Sequence, residues 1–166
     1  MRIIESGTKP FDTKKSIKKA GSLLKTRKSL TIKSEGKSFE WSGKMERVLI
    51  IRKGIPYQYI ETISEKLNLP VKSILTTFGI PQTTYNKKKS ENALLDSRDS
   101  ELIILITELI DYGLEVFNNE KEKFQRWLKK PNITLAGNTP ISLLDTSTGI
   151  EEVRNNLNRI EFGNFA

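Results

Sequence analysis

Residues 70–90 read PVKSILTTFGIPQTTYNKKKS, and the fold turns on how that run is divided. Pro70 suits the opening of a helix, because the N–H it lacks is one that a first turn leaves unpaired anyway. Val71, Ile74, Leu75 and Phe78 then recur at helical spacing. Gly79 can take the left-handed conformation that ends such a helix, and Ile80 with Pro81 restart the chain as a second helix opening on Gln82, Thr83 and Thr84. Two short helices joined by a turn containing glycine have the layout of a helix-turn-helix. Gln, Thr and Asn near the start of the second helix can hydrogen-bond base edges, while lysines further along can meet phosphates. The candidate DNA contacts are therefore Gln82, Thr83, Thr84, Tyr85, Lys87, Lys88 and Lys89. The same spacing also describes an ordinary helical hairpin with a solvated lysine run, and the spacing alone leaves both readings open.

Working towards the N-terminus, Tyr59, Ile60, Ile63 and Leu67 form one apolar face of a preceding helix, with Pro56 in its first turn. Residues 1–44 are different: they are rich in Lys, Ser, Thr and Gly, and their few apolar residues keep no sustained period. They are expected to form a flexible basic arm, either a solubilising tail or an arm that follows a nucleic-acid backbone. Charge falls along the chain, from +10 over residues 1–53 to +2 over residues 54–95 and −4 over residues 96–166. A basic front and an acidic back suit two different partners.

Towards the C-terminus, residues 99–117 predict a long helix that is apolar almost all round, with Leu102, Leu105, Ile106, Leu109 and Val116 on one face and Ile103, Ile110, Leu114 and Phe117 on another. Such a helix belongs at the centre of a domain or across a dimer contact. Asn119 with Glu122 can cap a helix carrying Phe124, Trp127 and Leu128, Thr139-Pro140 opens another, and Thr148 with Glu151 offers a capping box for the last, with core positions Ile150, Val153, Leu157 and Ile160. The expected fold is all-α in three parts: an arm (1–44), a helix-turn-helix domain (45–95) and a small helical domain (96–166).

Composition removes most familiar chemistry. The chain has no cysteine and no histidine, so disulfides, zinc fingers and Ser/His/Asp or Cys/His catalysis are excluded. A Ser/Lys pair or Glu151 and Glu152 are the only raw material for an enzyme, and nothing draws them into a site; no catalytic residue, metal or cofactor is expected. The run LIILI (102–106) is too short to span a membrane and the first residues lack the apolar core of a secretory signal, so a cytoplasmic protein is expected.

Residues 115–166 carry a family resemblance. The ordered set Val116-Phe117, Trp127-Leu128, Pro131-Asn132, Leu135 with Gly137, Thr139-Pro140, Leu143-Leu144, Thr146, Gly149, Val153, Leu157 and Arg159-Ile160-Glu161-Phe162-Gly163 closely resembles the toxin-binding domain of Xre/MbcA/ParS-type antitoxins. The stretch before it looks like the Xre-like helix-turn-helix half of the same family. Asn118 and Ala136 stand where glycine is usual, Phe124 replaces a small residue, and Lys87 and Lys88 stand where arginines are common, which leaves the operator preference open because lysine lacks the bidentate guanine contact. The resemblance implies an antitoxin that dimerises, binds operator DNA and blocks a toxin, commonly a RES-domain enzyme that degrades NAD, with the antitoxin's end near the mouth of the toxin's active site. It places toxin contacts at Arg159, Glu161, Phe162, Gly163, Asn164, Phe165 and Ala166. In that tail Phe162 is expected to finish the core of the last helix, Phe165 to serve as an anchor and Gly163 as the joint. The alternative function is a stand-alone DNA-binding regulator with no toxin.

Overall fold

The computed structural model describes residues 29–34 and 37–163. It opens with strands β1 (Leu30–Ser34) and β2 (Lys37–Trp41), an antiparallel hairpin in which Leu30 faces Trp41 and Ile32 faces Phe39. This corrects the flexible-arm expectation for residues 30–34 and 37–41. Strand alternation puts Leu30, Ile32, Phe39 and Trp41 on one face, and that face is covered: Ile32 and Trp41 are buried, and Phe39 meets the Tyr59 ring edge-on at 5.6 Å. Residues 1–28 of the expected arm lie outside the described residues.

Helices follow: α1 (Lys44–Lys53), α2 (Tyr59–Leu67), α3 (Val71–Phe78), α4 (Gln82–Ser90), α5 (Ser97–Val116), α6 (Lys121–Leu128) and α7 (Ser147–Glu161), with 3-10 turns at Ile133–Leu135 and Pro140–Leu143. Gly79 ends α3 with φ 68°, as expected. Other boundaries moved. Pro56 precedes α2 and bridges to Leu94 instead of sitting in the first turn. Asn118 and Asn119 both turn left-handed (φ 53° and 62°), so the cap of α6 passes from Asn119 to Glu120. Helix α7 starts from Thr146, whose hydroxyl accepts from the Gly149 amide at 3.1 Å, which puts Thr148 inside the first turn instead of at the cap. Gly149 allows this because a Cβ there would lie 2.0 Å from the Leu143 carbonyl oxygen.

Helix α5 runs through the centre, with Leu102, Ile103, Ile104, Ile106, Leu109 and Ile110 all buried. It packs on α1, α2, α6 and α7. Glu108 ties three elements, accepting from the Trp41 indole at 2.9 Å and pairing with Arg47 at 3.0 Å. The left-handed Asn68 ends α2, and two side chains from the C-terminal half satisfy carbonyls at that end: Gln125 donates to Lys66 at 3.0 Å and Lys129 to Asn68 at 3.1 Å. The phenyl ring of Phe124 lies against Gly113 so closely that a Cβ on residue 113 would come within 2.3 Å of it, which is how the large residue at 124 is accommodated. Among the described residues no helix is long and apolar enough to cross a membrane.

Candidate functional site

Helix α4 has one apolar side chain that matters. Tyr85 is 3% exposed and leans towards the Tyr57 ring at 6.3 Å; burial first, then the nearby Glu61 carboxylate, push its hydroxyl far above the usual tyrosine range. It is a neutral core anchor, which corrects its assignment as a base contact: a ring sealed in the interior cannot reach a groove. At the other end of the helix Lys89 pairs with Glu61 of α2, and the Lys89 carbonyl accepts from Gln58 at 3.4 Å. That lysine is therefore paired within the fold as well as standing on α4.

With these two points fixed, the remaining face of α4 is presented outward. Gln82, Thr83, Thr84, Asn86, Lys87 and Lys88 are exposed. The Gln82 side chain donates to the Asn86 side-chain Oδ1 at 3.0 Å, one helical turn away, so the two amides lie side by side. Pro81 precedes the helix and no side chain caps its first turn, leaving those backbone amides available on the same edge. Amide, hydroxyl and ammonium groups are thus all displayed to solvent along this one short helix.

The second candidate surface closes the chain. Arg159 and Glu161 are exposed on α7, Phe162 is 70% exposed and Gly163 turns left-handed at φ 67°. Phe162 thus does not finish the core; α7 ends its apolar face at Leu157 and the half-buried Ile160, and Phe162 falls on the solvent side. Glu161 is drawn into a cluster: the Tyr112 hydroxyl of α5 lies against both the Asn158 and Glu161 side chains, and Arg154 stacks over the Tyr112 ring at 5.0 Å. Burial, reinforced by the Glu161 carboxylate, pushes the Tyr112 hydroxyl up to about 12, so it remains a donor at neutral pH. This fixes the end of α7 from which the tail departs. Asn164, Phe165 and Ala166 lie outside the described residues.

Two residues that the sequence reading passed over complete this picture. Asn156, 4% exposed on α7, accepts from the Asn132 amide at 3.0 Å and donates to the Thr134 hydroxyl. Ile133, between those partners, is 94% exposed. Asn156 stands at a helical core spacing from Val153, which was the available signal for a buried position; its polar side chain masked it. Among the described residues no group of acidic side chains is arranged to hold a metal ion.

Comparison with known proteins bears on both surfaces. Residues 46–107 match the antitoxin Xre-like helix-turn-helix domain, and residues 113–163 match the antitoxin Xre/MbcA/ParS C-terminal toxin-binding domain. The hairpin lies outside both spans. A Photorhabdus laumondii protein named antitoxin Xre is 30% identical over 114 residues, covering 69% of this chain and 77% of that protein. An antitoxin Xre of Yersinia enterocolitica is 28% identical over 116 residues, covering 70% and 78% respectively. A Sphingobium protein named Prs ADP-ribosylating antitoxin is 27% identical over 130 residues, covering 74% and 82%.

Proposed function

The chain belongs to the Xre antitoxin family and is the antitoxin of a toxin–antitoxin system, and on that premise we propose that it neutralises a RES-domain toxin that degrades NAD and represses its own operon as a homodimer. In this reading residues 45–95 contact the operator through the outward face of α4, and residues 96–166 contact the toxin. The observation that carries the toxin half is the end of α7: an exposed Phe162 followed by a left-handed Gly163 inside the span that matches a toxin-binding domain. An aromatic beside a flexible joint can enter a concave site closely, and Phe165 adds a second aromatic just beyond that joint.

The test is NAD consumption by the protein encoded beside this one, with the full chain or a chain lacking residues 163–166, alongside co-purification. We expect the shortened chain to keep its fold and to inhibit poorly, with Phe165→Ala alone costing roughly 2 kcal/mol, about thirtyfold in neutralisation. Full inhibition by the shortened chain would mean that the tail is no plug. The name of the Sphingobium relative supports a second reading, a toxin that transfers ADP-ribose to a protein. The product separates the two: free ADP-ribose for NAD degradation, a labelled protein for transfer.

A further inference from the structure

Among the described residues of the toxin-binding span, two large apolar side chains stand well exposed, Phe162 at 70% and Ile133 at 94%. Phe162 is already part of the expected contact. A lone exposed aliphatic residue is ordinary on a protein surface. What sets Ile133 apart is what lies beneath it. The backbone of residues 132–138 is closed on itself, the Asn132 amide donating to the Asn138 carbonyl at 3.0 Å and the Gly137 amide to the Asn132 carbonyl at 2.9 Å. The Asn132 side chain accepts from the Thr134 amide at 3.0 Å and donates to the buried Asn156, while Leu135 pins the turn from below at 6% exposure. Ala136 is held left-handed at φ 53°, a conformation that a residue with a Cβ adopts at an energetic cost. Hydrogen bonds centred on the buried Asn156 thus hold, against the strain at Ala136, a loop whose outermost side chain is bare isoleucine.

We propose that Ile133 is a preformed apolar anchor that inserts into a pocket on the toxin, a contact separate from the C-terminal tail. This rests on the antitoxin reading above. The partner is a protein and not DNA, because residues 131–144 contain no charged side chain in a chain that is 29% charged, leaving nothing there to pair with phosphates. The same neutrality means that no charge has to be stripped of water when the loop is covered. Its rigidity lowers the ordering cost of binding, which is the condition under which one side chain becomes a hot spot.

The experiment uses the full chain carrying Ile133→Ala or Ile133→Asp, titrated calorimetrically with the protein encoded beside it, with melting temperature and sedimentation measured in parallel. Ile133→Ala keeps the loop hydrogen bonds and should weaken the complex roughly tenfold or more, and Ile133→Asp more severely, with melting temperature unchanged. The loss should persist in a chain lacking residues 163–166. Equal affinity for all forms would overturn the proposal while leaving the toxin reading intact. Dissociation of a homo-oligomer with unchanged toxin affinity would also overturn it, making a second copy the occupant. Absence of a complex with the unaltered chain would sink both readings.

Discussion

Helix α4 and the loop at residues 132–138 present their surfaces by opposite means. Helix α4 shows polar and cationic side chains to solvent and is held from behind by a buried ring, Tyr85, with the Lys89–Glu61 pair at its edge. The loop shows an isoleucine to solvent and is held from behind by a buried amide, Asn156. In each case the exposed chemistry is the inverse of the anchoring chemistry. The proposed DNA and toxin contacts both rest on this division: the side chain that anchors each element is buried, and the side chain offered to a partner is exposed.

The largest effect should come from Tyr85→Ala, which removes the anchor of α4. Losing a buried aromatic should cost about 3–5 kcal/mol of unfolding free energy, read by chemical denaturation, and should abolish operator binding with it. Tyr85→Phe should keep both, since the ring and not the hydroxyl holds the helix. A Tyr85→Ala chain of normal stability that failed only on DNA would return Tyr85 to the list of base contacts and break the comparison.

Next comes the outward face. Lys87→Glu with Lys88→Glu should eliminate the mobility shift of the upstream promoter fragment while stability and toxin neutralisation persist. Lys89→Ala should instead leave DNA affinity nearly unchanged and lower stability by up to about 1 kcal/mol, because its partner is Glu61 and both groups are about one-third exposed. An equal loss of DNA binding at Lys89 would show that the ion pair opens on the operator. On the loop, Asn156→Ala should cost about 1–3 kcal/mol, since the Asn132 and Thr134 side chains lose a buried partner, and toxin affinity should fall although Ile133 is untouched.

The two regions were also unequally legible. Helix α4 could be read because Gly79, Pro81 and the apolar spacing of Val71 to Phe78 are local signals acting within one turn of each other. Which of its side chains face outward could not, because that depends on Glu61 and Gln58, more than twenty residues away. The hairpin escaped for a related reason. Each strand contributes only two inward apolar residues, Leu30 and Ile32 against Phe39 and Trp41, too few for a period to register, and they become a face only when the register pairs them over Tyr59. Phe162 misled because it follows Leu157 and Ile160 as a continuation of an apolar helix face, whereas the helix stops at Glu161 and the ring turns out to solvent. Asn156 misled in the reverse direction, a polar residue on the buried side of α7 whose partners lie more than twenty residues upstream.

The smallest expected effect sharpens the comparison most, because it separates strain from contact. Ala136 adopts φ 53° where the resemblance expects glycine, and the three residues before it sit in a 3-10 turn that Asn132 opens. The loop therefore holds its shape against a local preference, with Asn156, Leu135 and the Asn132–Asn138 hydrogen bond supplying the opposing constraint. Ala136→Gly removes the steric penalty of the left-handed residue but also loosens the unfolded chain, and these two terms have opposite signs. Their balance should leave a stability gain of no more than about 1 kcal/mol, measured as a small rise in denaturation midpoint with an unchanged slope. Toxin affinity should stay level, because the network that aims Ile133 is intact. A fall in affinity with a rise in stability would mean that the alanine methyl group is itself covered by the partner, and would extend the contact from one side chain to the crest of the loop.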